Sequence, residues 1–385
     1  MNKKKRLCII VHPPIALTLM RKQWSYWMEK GFEVYCISGP SPQEHEKVQK
    51  MGVKTHVVSM DRFPNPLKDI ISLLRIWWFL LWHRFDLIHV SVLKSSLLGS
   101  LAAWLSGHRR VIYLVRGRAY ENMTGLKRKM MNFFEHLICL IAQKVVPISH
   151  ELGEALVREE LCAKNKIHVI GSGSSAGVDL SRFTRTKDNI AVGQQIREKL
   201  GIKPGDMVIL FVGWLRRDKG INELVQAFDR LAKIYPGIHL ILQGNYELKD
   251  PLKFEVKNLI ENHQRIHHLP WREEPAPVYT LADIFAFPSY REGFGNVAME
   301  AAAMELPVVA SDIMGVREAV QKDSTGLLIP PAEVDALYLA LKRLIDAPDL
   351  RHQLAQNGRR RMEKEFRQEL IWQGTLEMFL EVLKT

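Results

Sequence analysis

The chain is poor in the features that define several large functional classes. Its 385 residues hold only four cysteines, Cys8, Cys36, Cys139 and Cys162, with no CxxC pair and mostly inside apolar runs, which predicts reduced core thiols and argues against a disulfide scaffold or a zinc ribbon. No HExxH is present, so the zinc hydrolase template fails. Where a nicotinamide-binding chain would carry GxGxxG after its first strand, Val11–Ile15 reads VHPPI, and no Walker A glycine loop occurs anywhere. The apolar run Leu7–Val11 behind the basic start MNKKKR is too short for a signal-peptide core and predicts a first buried strand, hence a cytoplasmic protein. Repeats and low-complexity segments are absent.

What is present is a globular balance, 47% hydrophobic and 25% charged residues, on a chain long enough for two domains. The net charge of +12 is one-sided: residues 1–180 hold 26 Lys+Arg against 14 Asp+Glu, residues 181–385 hold 28 of each. Such a field draws polyanions or an anionic membrane surface to the first half, with ordinary solubilising charge as the lesser alternative. Short β-rich runs alternate with helical patterns, the signature of βαβ units in a parallel sheet. Strands are expected at 6–11, 33–38, 54–58, 86–90, 111–115, 144–148 and 166–170, and, after a polar linker near 180–195, at 207–213, 239–243, 284–288, 307–310 and 326–329. The prediction is α/β, two successive doubly wound Rossmann-like domains at 1–183 and 184–367, with the last helix, 368–385, packing back on the first.

Two helical segments are unusually apolar. Pro66–His83, PLKDIISLLRIWWFLLWH, is interrupted over Ile70–Trp82 only by Ser72 and Arg75, yet falls short of the roughly 20 apolar residues that cross a bilayer. Residues 126–144 mix Lys and Arg with Phe, Met and Leu. Each fits either a membrane interface or a buried helix of a large sheet domain.

Chemistry concentrates at strand-to-helix junctions. FPSYREGFGNVAMEAAAMELPVVASD (287–312) places Glu292 in a loop, Gly293, Phe294, Gly295 and Asn296 at a helix start, and Glu300 inside that helix. Amides at a helix start attract phosphate, and a carboxylate there can accept hydrogen bonds from sugar hydroxyls. VGWLRRDKG (212–220) follows a strand with Gly213 and gathers Arg216, Arg217 and Lys219, cations suited to a diphosphate. DIMGVRE (312–318) offers further amides around Gly315, and GSGSSAGVDLSRF (171–183) is a weaker Gly/Ser loop. Lone histidines at His12, His89, His136 and His150 read as structural more often than functional. A basic nucleic-acid-binding protein would suit the charge, but no reading motif or stacking platform supports it, so no nucleic acid is expected.

Taken together, these segments resemble glycosyltransferase family 4, retaining enzymes of the GT-B fold, in which two Rossmann-like domains face across a cleft. The resemblance runs along nearly the whole chain and is most specific in YREGFGNVAMEAAAMELPVVASD. It implies that Glu300 binds the donor ribose, that Glu292 contacts the donor sugar, that Lys219 holds the diphosphate with Arg216 or Arg217, and that no metal or other cofactor is needed. The implied catalytic set is Glu292, Lys219 and Arg217. The first half resembles a branch building bacterial surface polysaccharides, lipopolysaccharide or capsule, on polyprenyl-diphosphate carriers, through SMDRFPNPLKD (59–69), IHVSVLKSSLLGSLAA (88–103) and YLVRGRAYENMTGLKR (113–128). These segments supply Arg62, His89, Lys94, Arg116 and Arg118 as expected acceptor-binding residues. The implied partners are a nucleotide-sugar, most simply a uridine diphosphate hexose or N-acetylhexosamine, a lipid-linked acceptor, and the inner face of the cytoplasmic membrane. The same fold could instead act on a soluble acceptor, or as an epimerase or phosphorylase. Three departures stand out: Trp214 replaces the arginine of the family's GRLxxxKG segment, Arg116 replaces the histidine before the glycine of its HG segment, and His12-Pro13-Pro14 replaces a glycine-rich loop.

Overall fold

Aliphatic runs such as Leu7–Val11, in which every side chain is buried, have no polar face to offer solvent, which is the pattern of strands covered by helices on both sides. The computed structural model describes residues 4–384 except 15, 18, 19, 62–64, 119, 122 and 248. β1 (Lys5–Val11), β2 (Phe32–Ser38), β3 (Lys54–Val57), β4 (Leu87–Ser91), β5 (Val111–Val115) and β6 (Lys144–Pro147) form one parallel sheet in the order β3-β2-β1-β4-β5-β6. Ile10 sits opposite Val90, and Ile9 opposite Cys36. β7 (Met207–Val212), β8 (Ile238–Gln243), β9 (Ile266–Leu269), β10 (Ile284–Phe287), β11 (Val308–Ser311) and β12 (Gly326–Ile329) form a second, ordered β12-β11-β10-β7-β8-β9. Both sheets have the doubly wound Rossmann order. The strand sequence reverses between β1 and β4 in one and between β7 and β10 in the other, and ligand crevices open beyond the carboxyl ends of strands at such points.

The chain divides into two units, Met1–Ala176 with Glu369–Thr385, and Gly177–Gln368. In the first, the final helix, Gln368–Lys384, returns to cover the amino-terminal region: the Trp372 ring lies 5.6 Å from Tyr26, and Phe379 lies 5.3 Å from Trp27 and 6.0 Å from Phe32. In the second, Phe211, Leu224, Phe228, Leu240 and Leu341 form a core with no exposed surface.

Several sequence expectations are corrected. The first unit ends at Ala176 rather than Phe183, because 177–183 is strapped to the second: Val178 N donates to Phe366 O at 2.7 Å, and the Phe183 ring meets Tyr279 at 5.9 Å. Residues 166–170 do not form a strand. A single 3-10 turn spans Lys164–Lys166, and the segment touches the sheet at one bridge, Val145 to Ile167. The supposed linker contains a helix, Lys187–Lys199, whose amino end is capped by Thr186 Oγ1 accepting from Asn189 N at 3.1 Å. A Cβ at Gly193 in this helix would collide with Thr280 Oγ1, so the polar-looking stretch is a close-packed element. β9 escaped notice because its IHHL sequence is short and half polar; His267 stacks on His239 of β8, with ring centroids 5.2 Å apart.

The two apolar helices are not enclosed. Pro66–Trp82 starts at Asn65, whose side chain accepts from Lys68 N, and buries one stripe, Ser72, Ile76 and Leu80, at four-residue spacing. Leu67, Ile70, Ile71, Leu74, Trp78 and Trp82 are exposed. Gly125–Ile141 likewise buries Glu135, Ile138 and Cys139 while exposing Leu126, Met130, Phe133 and Leu140. Among the described residues no helix is long and apolar enough to cross a membrane.

Candidate functional site

In the second unit the reversal of strand order brings the segments after β7 and β10 side by side. Gly220, in the left-handed region at φ 70°, starts the Ile221–Ala232 helix, and a Cβ there would collide with the Pro288 carbonyl at the end of β10. Tyr290 N donates to Asp218 O at 2.8 Å and ties the two loops further. Lys219 Nζ thereby reaches Glu292 Oε1 in a hydrogen-bonded ion pair, both side chains largely buried. Arg216 Nε stands 2.5 Å from Asp218 Oδ1 as an ion pair without hydrogen-bond alignment, and Arg217 Nε stands 3.1 Å from Asp250 Oδ1 with its side chain exposed. Each of the three cations thus faces a carboxylate, and Arg217 points along the surface toward Asp250 rather than to Glu292.

Gly295, at φ 83°, opens the Asn296–Ala303 helix, whose first amides have no intrahelical acceptor. Gly315 presses its backbone against the Gly293 carbonyl so closely that a Cβ could not be accommodated, which draws the loop after β11 onto the same place. Phe294 turns inward against Phe366, 5.6 Å away, and is a packing residue, while Asn296 and Gly293 keep solvent contact. Trp214, in place of the expected arginine, is 53% exposed. Glu300 lies one turn into the helix and accepts from Tyr279 Oη at 2.8 Å. Burial raises its carboxyl to about 7 against the opposing pull of the Tyr279 hydrogen bond and the Arg182 charge.

In the first unit the expected acceptor residues separate. Arg62 lies outside the described residues. His89 is buried on β4, beside the Phe379 ring at 5.9 Å, and burial with the Arg116 charge lowers it to about 3, so it is neutral. Arg116, beyond β5, donates to Ser175 Oγ at 3.0 Å, and burial lowers it to about 10. Arg118 turns away from this pair. Its guanidinium is 2.6 and 2.7 Å from the two Glu159 oxygens, Arg128 joins at 2.9 Å, and Glu159 is held at about 2. Tyr120 Oη and Tyr113 Oη both donate to buried Glu135, and Arg118 Nε donates to Tyr120 Oη at 3.1 Å, which joins the two groups in one network. Lys94 pairs with Asp69 at 2.6 Å. Val92, between β4 and the Leu93–Leu105 helix, has φ 69°, strained for a β-branched residue, at the reversal point of this sheet.

Sequence reasoning did not single out Tyr279, Arg182, Asp218 or Asp250. Tyr279 stands in an ordinary apolar run, and only the fold brings it to Glu300. No group of three or more His, Cys, Asp or Glu able to hold a metal occurs among the described residues.

Comparison with known proteins places these segments in context. A family model described as Glycosyltransferase Family 4 matches residues 24–182, and one described as Glycosyl transferases group 1 matches 193–361. The capsular polysaccharide biosynthesis glycosyltransferase CapM of Staphylococcus aureus is 27% identical over 384 residues, 99% of this chain and 98% of that protein. The Escherichia coli UDP-Gal:alpha-D-GlcNAc-diphosphoundecaprenol alpha-1,3-galactosyltransferase is 28% identical over 286 residues, 73% of this chain and 71% of that protein. Anabaena Alr3699/HepE, solved in complex with UDP, superposes with a TM-score of 0.79 at 19% identity, over 98% of this chain and 100% of the other, a likeness of fold.

Proposed function

Because the chain is a glycosyltransferase of family 4 and carries the two Rossmann-like domains of the GT-B fold, we propose that it moves a hexosyl or N-acetylhexosaminyl group from a uridine diphosphate sugar to a lipid-linked, polyprenyl-diphosphate saccharide during surface polysaccharide synthesis. The observation that carries the donor assignment is the largely buried Lys219–Glu292 pair at the β7/β10 reversal point, beside an open helix start and within the same unit as Glu300. The lipid-linked acceptor is supported by the Escherichia coli relative, whose name gives a diphosphoundecaprenol substrate, and by the CapM likeness along the whole chain.

In this reading the acceptor hydroxyl attacks the anomeric carbon on the face the leaving group vacates. A bond forms from that oxygen to the carbon, the bond to the β-phosphate oxygen breaks with its electron pair on the diphosphate, and the hydroxyl proton passes to a departing phosphate oxygen. Configuration is retained and no protein nucleophile is required. Charge grows on the diphosphate, so the ammonium of Lys219 exchanges Glu292 for phosphate, and helix-start amides add their dipoles. Glu292, released, accepts from sugar hydroxyls. Glu300 accepts from the ribose hydroxyls, and Tyr279 keeps its carboxyl oriented. Arg116 and neutral His89 line the acceptor side.

The exposed apolar faces of Pro66–Trp82 and Gly125–Ile141, flanked by Lys68, Arg75, Lys127 and Lys129, hold the enzyme on the inner face of the cytoplasmic membrane. Lys219→Ala is expected to lower turnover with the matched donor on the order of 10²-fold. Unchanged turnover would remove Lys219 from the site. A thermal-shift panel of nucleotide sugars selects the donor, since a ligand of the folded state raises Tm.

A further inference from the structure

A second cavity lies at the opposite edge of the first sheet from its reversal-point crevice. The segments entering β4 and β5, residues 84–86 and 107–110, border an open pocket of about 450 Å³ lined by Arg84, Phe85, Asp86, His108, Arg109 and Arg110. Its floor is rigid and uncharged. Phe85 N donates to His108 Nε2 at 3.1 Å, which leaves the ring proton on Nδ1 to donate to Ser106 Oγ at 2.9 Å; burial and the Arg84 charge lower the imidazole to about 4.

The walls are cationic. Arg84 spends one N–H on Ser106 O at 3.1 Å, while the guanidinium groups of Arg109 and Arg110 have no hydrogen-bond or ion-pair partner among the described residues. The one carboxylate, Asp86, accepts from Arg6 N at 2.7 Å and stands 3.9 Å from Lys5 Nζ. Three guanidinium groups against one engaged carboxylate leave the cavity short of negative charge, and the planar forks of arginine match phosphate oxygens.

Exposed apolar side chains stand next in the chain to the lining segments. Trp82, Trp104 and Leu105 end the two helices that feed the cavity, and they are 68%, 52% and 53% exposed. Exposed indole rings beside arginines are the combination that settles at the headgroup level of a bilayer. We propose that this cavity binds the headgroup phosphate of an anionic phospholipid, with Arg84, Arg109 and Arg110 on the phosphate and Trp82 and Trp104 in the acyl boundary. The site is separate from sugar transfer and rests on the membrane reading above, to which it adds a lipid class and a place.

The test is flotation of the full chain with vesicles of phosphatidylcholine alone or of phosphatidylcholine and phosphatidylglycerol in equal parts. Wild type should float with the anionic vesicles and not with the neutral ones, and Arg109→Ala with Arg110→Ala should lower the bound fraction on the order of tenfold, as two lost basic contacts imply. Trp82→Ala with Trp104→Ala should lower it while leaving the protein's elution volume unchanged. Transfer to a water-soluble acceptor analogue should survive in all variants, which separates failure of this proposal from failure of the transferase reading and certifies the fold. Equal flotation with neutral vesicles, no flotation of wild type, or undiminished anionic flotation of the double arginine variant would each overturn the proposal. So would a Tm increase with soluble glycerol 3-phosphate that the arginine variant loses while keeping flotation, because the cavity would then hold free phosphate. A Trp variant that changes oligomeric state would assign the rim to a second copy of the chain and likewise overturn it.

Discussion

The carboxyl of Glu300 gives the proposed donor site a pH signature. It titrates at about 7 in the folded chain against 4.5 for an unperturbed glutamate, because burial penalises the ionised form more than Tyr279 and Arg182 favour it. Between those values the folded state holds a proton that the unfolded chain has released, so this group's contribution to stability is greatest below pH 4.5, declines as pH rises to 7, and is flat above. The loss amounts to about 3 kcal/mol. Glu300→Gln should abolish this slope, read as the difference in urea midpoint between pH 5 and pH 8, and should make donor affinity independent of pH over that range. A slope unchanged in the variant would assign the titration elsewhere. That Glu292 and Lys219 stand in strand-to-helix loops and Glu300 in the helix that follows was legible in the sequence, because short aliphatic runs there give way to helical patterns. Tyr279 was not legible, since a tyrosine in an apolar run carries no local sign of the carboxyl it meets 21 positions later. Arg118 shows the converse: its place in a family-like segment suggested a ligand contact, whereas the fold spends its guanidinium on Glu159.

At the level of elements, the site depends on how closely the β7 and β10 loops approach. Gly220 combines a positive φ with backbone contact to Pro288, and a methyl group there meets both strain and collision. Gly220→Ala should therefore cost about 2 kcal/mol or more in stability and, by pushing Lys219 from Glu292, reduce transfer more than the stability loss explains. Parallel measurement of Tm and of turnover well below Tm checks this. A variant with lowered Tm and normal turnover would show that the loops tolerate separation. The strands around these loops could be read in advance because each is a short aliphatic run buried on both faces. Residues 166–170 and β9 depart from expectation for one shared reason: at a sheet's margin a strand needs little hydrophobicity to form, as IHHL demonstrates, and an aliphatic run there can make only a single bridge, as Ile167 does. The helix at Lys187–Lys199 was hidden by its polar surface, its packing depending on a missing side chain at Gly193 rather than on an apolar stripe.

For the molecule as a whole, the chain's path couples its last residues to its first. Gln368–Lys384 sends Ile371, Trp372, Met378, Phe379 and Val382 into the first unit, where each is at most 9% exposed. The second unit, Gly177–Gln368, is continuous in sequence. Ending the chain after Gln368 should therefore strip a hydrophobic cover from Tyr26, Trp27 and Phe32 and lower the stability of the first unit by on the order of 7–15 kcal/mol, at roughly 1.5–3 kcal/mol for each of these large side chains removed from the core. The second unit should be unaffected. Calorimetry on the truncated chain with and without uridine diphosphate checks both halves: one transition should fall or vanish, and the remaining one should still rise with nucleotide, because the proposed donor residues Lys219, Glu292 and Glu300 all lie in the continuous unit. Loss of both transitions together would mean that the two units unfold as one cooperative body, and loss of the nucleotide response alone would mean that the first unit contributes to donor binding.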